Sequence, residues 1–135
     1  MLNVKVKSHQ VTEAINLADV TALFLTKGYM LYRPEADVGG IDFLLSTPGQ
    51  KILKCQLKSR PYVEWNRYGG KDLFMVFPDD KTTPRDWYLV PHDTLFLTLK
   101  EQHGHAPKWN HPKFGEYWHC PVSLDLKKKL SKFKI

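Results

Sequence analysis

With 135 residues the chain is long enough for one domain whose core needs neither disulfides nor a structural metal. A hydrophobic content of 42% and a charged content of 25% exclude a disordered or fibrous polymer, and no apolar run approaches the roughly 18 to 20 residues of a membrane span. The net charge of +6 favours a polyanionic partner without requiring one.

The opening MLNVKVKSHQ lacks an apolar signal core. Two cysteines, Cys55 and Cys120, are too few for a disulfide framework. The expectation is a cytoplasmic protein with reduced thiols and no membrane segment.

In chain order, apolar spacing predicts a helix over residues 8–27, with Ser8 as N-cap and Gly28 at its end. Val11, Ile15, Ala18, Ala22 and Leu25 form one apolar stripe, and Leu17, Val20 and Phe24 a second on the far side. Glu13 falls one turn before Leu17, at the rim of that second stripe. Strands are predicted over 29–33, 40–46 and 51–58. In 40–46, Ile41, Phe43 and Leu45 alternate with Asp42 and Leu44. The turn signal Thr47-Pro48-Gly49 makes 40–46 and 51–58 an antiparallel hairpin. Along 51–58, Leu53, Cys55 and Leu57 share one face, and Ile52, Lys54, Gln56 and Lys58 the other. Two further strands are predicted over 72–77 and 87–90, around the polar PDDKTTPRD. A helix over 94–102 is expected with Asp93 as its cap, then an extended loop over 103–117 and a last helix from about Ser123. There is no internal repeat and no linker, so residues 1–135 read as a single α/β or α+β domain.

Gln56 and Lys58 project from one strand face, and Asp42 lies on the neighbouring strand. That juxtaposes a carboxylate, a neutral oxygen donor and an ammonium. Magnesium prefers hard oxygen ligands with one or two carboxylates, which Asp42 and Gln56 partly supply. A lysine there would hold an attacking water or neutralise a developing oxyanion.

The run GYMLYRPEADVGGIDFLLSTPGQKILKCQLKSR, residues 28–60, resembles the PD-(D/E)XK nuclease superfamily. It is most similar to the Holliday-junction-resolvase-like and group I intron homing endonuclease branches. The resemblance covers residues 8–60 well and 72–100 loosely. It implies a restriction-endonuclease-like mixed sheet of four or five strands flanked by helices. It further implies a metal-dependent endonuclease acting on DNA, with Mg2+ or Mn2+ as cofactor and a homodimer or higher homo-oligomer as the assembly. Asp42, Gln56, Glu13 and the backbone carbonyl of Leu57 would hold the metal, with Lys58 the catalytic cation. Gln56 departs from the commoner acidic residue and removes one negative charge; Glu35, Asp37 or Glu64 are the candidates to restore it. The alternative is a catalytically weak nuclease-fold module that binds DNA or a partner protein.

Outside the motif, Arg60, Lys54, Lys127, Lys128 and Lys129 are the candidate phosphate contacts. The last three belong to DLKKKLSKFKI, which holds five lysines and reads either as a solvated tail or as a phosphate-binding one. His103, His105, His111, His119 and Cys120 lack the spacing of a closed zinc site, so no stoichiometric zinc is expected. Trp65, Tyr68, Trp87, Trp109 and Trp118 read as core anchors in preference to base-stacking platforms.

Overall fold

The computed structural model describes residues 8–36 and 39–135. It is a mixed α/β fold built on a five-stranded sheet and a three-stranded sheet. Helix α1, Ser8–Thr26, is followed by β1 Met30–Tyr32, β2 Phe43–Ser46, β3 Ile52–Leu57 and β4 Tyr62–Glu64. Next come the single turn α2 Trp65–Tyr68, β5 Leu73–Pro78, β6 Trp87–Pro91 and helix α3 His92–His103. The chain closes with β7 Asn110–His111, β8 Gly115–His119 and helix α4 Leu124–Lys129. The main sheet has the order β1-β2-β3-β5-β6, and the smaller one β4-β8-β7.

Helix α1 ends where expected. Gly28 takes φ +86°, and Tyr29 N–H donates to the Phe24 carbonyl at 2.9 Å, so left-handed backbone closes the last turn. Its apolar stripes are a different matter. Val20 and Phe24 are fully buried, whereas Val11, Ile15 and Leu25 are 43 to 57% exposed. Both stripes have helical spacing; the sheet accepts only the one whose aromatic ring reaches Phe43 and Tyr29. Ser8 is itself helical, so it is not the cap.

β2 and β3 pair as the expected antiparallel hairpin, with Phe43 opposite Cys55. β2 starts at Phe43 and not at 40, because Gly39 and Gly40 take φ +59° and +78° and turn the chain. At Gly40 a Cβ would also lie 3.2 Å from the Tyr68 ring, so glycine is required there twice over. β3 then pairs parallel with β5. β5 is the central strand, apolar on both faces: Val76 joins Val20, Phe24, Cys55 and Trp87 on the α1 side, while Met75 and Phe77 meet α3, α4 and the small sheet on the other. No helix among the described residues is long and apolar enough to cross a membrane.

Three expectations fail for physical reasons. The segment 103–117 is not one loop: it holds a 3-10 turn, β7 and the start of β8, and β8 pairs with β4, which the sequence also hid. Strands of two or three residues are too short to show a period of two. Helix α3 begins at His92, and Asp93 sits in its first turn, where its carboxylate accepts from Gly70 N–H and contacts the His92 ring. Of the two readings of the lysine-rich end, the solvated tail fails, because the segment is docked. Ser123 Oγ caps α4, Leu126 and Leu130 are buried, and Ile135 N–H donates to the Trp87 carbonyl.

Candidate active site

The hairpin register decides the site. The ladder ends at Phe43 opposite Cys55, and Asp42 N–H also donates to the Cys55 carbonyl at 2.9 Å, so the strand bulges there and Asp42 does not sit opposite Gln56. The Asp42 carboxylate in turn accepts from Leu57 N–H at 2.8 Å. It is therefore locked to the backbone between the two polar residues of Gln56-Leu57-Lys58. Asp42, Leu57 and Glu13 line one cleft of about 620 Å³ between α1 and the ends of the strands, with Arg33 on its wall. Glu13 reaches it from the exposed first half of α1.

Gln56 is only 7% exposed and does not line that cleft. It lies beside Gly40, and its Oε1 is buried without a hydrogen-bond partner among the described residues. A buried acceptor left unmet costs roughly 1–3 kcal/mol, so a cation is one means of satisfying it. The donors of the expected set, two carboxylates, an amide oxygen and a backbone carbonyl, are all hard oxygens and suit Mg2+ or Mn2+ better than a thiophilic ion, but the Gln56 amide lies outside the cleft that Asp42, Glu13 and Leu57 line. No group of three or more His, Cys, Asp or Glu stands together among the described residues.

Lys58 is half-buried, its Nζ 4.3 Å from the centre of the Tyr62 ring. Burial pulls its pKa below the ordinary value and the Arg67 guanidinium adds to this, while Asp42, Glu64 and Glu13 oppose. Those three carboxylates thus act on the ammonium through their charge. Glu64 is the residue whose placement the sequence could not supply. It is 6% exposed, accepts from Tyr62 O–H at 2.7 Å, and lies on β4, a strand without a sequence signal. Glu35 is exposed, and Asp37 lies outside the described residues.

Behind Glu64 stands His92, 1% exposed. Its Nε2 accepts from Glu64 N–H at 3.1 Å, so Nδ1 carries the proton and faces Asp93 at 2.9 Å. Burial lowers the His92 pKa despite Asp93. The neutral ring therefore contributes stability that is fully present above the unfolded value of 6.5 and is lost as pH falls below it. Thermal melting should accordingly drop between pH 6.5 and 5, and His92→Gln should flatten that drop. Parallel melting curves for the two proteins would refute the assignment.

The candidate phosphate contacts separate. Arg60 is exposed and shares a small cleft with Lys58, Tyr117 and His119. Lys54 precedes Lys58 by four residues, about 13 Å along a strand, and its Nζ donates to the Lys71 carbonyl at 2.9 Å. Lys127 pairs with Asp79 at 3.2 Å and Lys129 with Asp125 at 3.5 Å, while Lys128 is exposed. No family model matches the chain, and no curated protein or solved structure matches it.

Proposed function

We propose that the protein is a metal-dependent endonuclease that hydrolyses DNA phosphodiester bonds at the Asp42, Gln56, Lys58 site. The observation that carries this reading is the 2.8 Å hydrogen bond from Leu57 N–H to Asp42, which holds a carboxylate against the Gln56-Leu57-Lys58 strand. Asp42, Glu13, Gln56 and the Leu57 carbonyl would hold the cation. A divalent ion bound there supplies charge neutralisation at the phosphoryl oxygens and a more acidic water. Lys58, its pKa lowered by burial, would orient a water and meet the charge that develops on phosphate. Cutting both strands needs two such sites, so the reading includes a homodimer. The likeness of residues 28–60 to the PD-(D/E)XK pattern supports the same assignment.

One observation favours the second reading, a nuclease-fold module that binds DNA or a partner protein with little catalysis. The motif position that commonly carries a carboxylate is an amide here, and it is buried. Gln56 itself separates the two. If it is a ligand, Gln56→Glu adds a further carboxylate to the cation's ligands, which repels Asp42 in the apo state and is relieved by metal. The expected result is a melting temperature below wild type without magnesium, a larger magnesium-induced rise, and cleavage at lower magnesium. Gln56→Leu, without the ligand oxygen, should need far more magnesium. An active Gln56→Leu beside a Gln56→Glu inactive at every magnesium concentration would sink the metal site.

A further inference from the structure

A second cleft, of about 580 Å³, opens along the three-stranded sheet, where Lys108, Asn110, His111, Tyr117, Trp118 and His119 form its walls. It plays no part in holding the cation. A smaller cleft of about 190 Å³ shares Tyr117 and His119 with it and continues to Arg60, Tyr62 and Lys58. The two are therefore adjoining parts of one groove that begins at the catalytic lysine.

The floor of this groove is a chain of rings. Lys58 Nζ lies 4.3 Å from the Tyr62 ring centre, and Tyr62 meets Tyr117 at 5.3 Å and His119 at 6.4 Å. Tyr117 then meets His111 at 5.5 Å. The β4–β8 register accounts for it: Tyr62 pairs with His119 and Glu64 with Tyr117, so alternate residues of the two strands share one face. Among the described residues Lys58, Arg60 and Lys108 line the two parts and no carboxylate does, the nearby Glu64 being buried behind Tyr62, whose hydroxyl donates to it at 2.7 Å. Burial and the Arg60 guanidinium both lower the His119 pKa, so that ring offers a neutral aromatic face.

We propose that the groove takes an unpaired nucleobase of a DNA strand whose phosphate lies at Lys58 and Arg60, so that the preferred substrate has a single-stranded segment beside the cut. Aromatic faces stack on any base, and cations spaced along them follow the backbone. A base within a duplex reaches such a cleft only by leaving its stack and its partner, which favours strands already unpaired. The proposal rests on the nuclease reading for the identity of the strand and for the place of its phosphate.

The test is fluorescence anisotropy without magnesium, using a labelled oligothymidylate of about ten nucleotides and a blunt duplex of the same length. Wild type should bind the oligothymidylate at least about tenfold more tightly than the duplex. Tyr117→Leu and His119→Ala should each lose about tenfold for the oligothymidylate and little for the duplex, and Tyr117→Phe should retain binding. His119 is exposed, so its substitution leaves the fold intact even if Tyr117→Leu does not. Unchanged oligothymidylate affinity in His119→Ala and Tyr117→Leu would overturn the proposal, as would a wild-type preference for blunt duplex. Tighter binding of oligouridylate would reassign the groove to RNA and overturn it too. Cleavage with magnesium distinguishes the two readings. Tyr117-dependent binding with no cleavage of any DNA keeps the groove and removes the nuclease; cleavage that is indifferent to Tyr117 and His119 does the reverse.

Discussion

Lys58→Met should lower magnesium-dependent cleavage by about 10²–10³-fold or more, while the folded protein stays as stable as wild type or becomes more so. The two halves of this expectation have one cause. A half-buried ammonium is held in its charged form against desolvation, and the nearby Arg67 guanidinium adds repulsion. Methionine keeps the aliphatic stem of the side chain but removes the ammonium and its charge. What is lost is the contact of Nζ with the Tyr62 ring at 4.3 Å, worth about 0.5–1 kcal/mol at a partly exposed site. What is gained is release from the desolvation that lowers the Lys58 pKa. The sign of the pH dependence follows. Wild-type stability should rise as pH climbs towards the unfolded value of 10.5, because the unfolded chain binds the proton more tightly, and Lys58→Met should lack that rise. Cleavage assays and melting curves from pH 8 to 10 test both halves. A variant that melts well below wild type yet cleaves normally would make Lys58 a structural residue.

The largest effect on stability is expected at Asp19. Arg85 has a side chain only 2% exposed, and its Nε donates to Asp19 at 2.8 Å while another nitrogen donates to Asn16 at 2.8 Å. Trp87 Nε1 donates to the same Asp19 oxygen at 3.1 Å, and the guanidinium lies 4.8 Å from the Trp87 ring centre. This network ties α1 to the loop between β5 and β6 and so fixes the helix that carries Glu13. Asp19→Ala leaves a buried guanidinium and an indole N–H short of an acceptor. Breaking a buried pair costs about 3–5 kcal/mol, and the partial exposure of Asp19, 33%, brings the expectation to about 2–3 kcal/mol. In a domain of this size that is a fall in Tm on the order of 10 °C. Asp19→Asn keeps an acceptor oxygen and should lose less. Chemical denaturation of the three proteins measures the difference, and an Asp19→Ala variant within about 0.5 kcal/mol of wild type would rule the network out as a stabilising element.

The central hairpin and the long elements were legible in the sequence because their signals are local. Alternation along 51–58 sorts Leu53, Cys55 and Leu57 from Gln56 and Lys58, and the Thr47-Pro48-Gly49 turn sets the pairing that brings the Asp42 carboxylate to Leu57 N–H. Gly28, which only a left-handed terminus requires, marks the end of α1. Which stripe of α1 turns inward was not local: Val11, Ile15 and Leu25 have the same spacing as the stripe that packs, and only contact with Phe43 decides between them. The depth of Gln56 was equally hidden, since alternation tells one face of a strand from the other but not what covers it. The cover comes from Tyr68 and the turn at Gly40. Glu64, Tyr117 and His119 lie on strands of three to five residues whose pairing partners are more than fifty positions apart, so no window of sequence contains both halves of that small sheet. Composition determined the globular character of the chain and its net charge of +6. The tertiary structure decided which of its polar residues meet, because a strand pair of low local signal forms only when long-range packing overcomes the entropy of closing the chain between them.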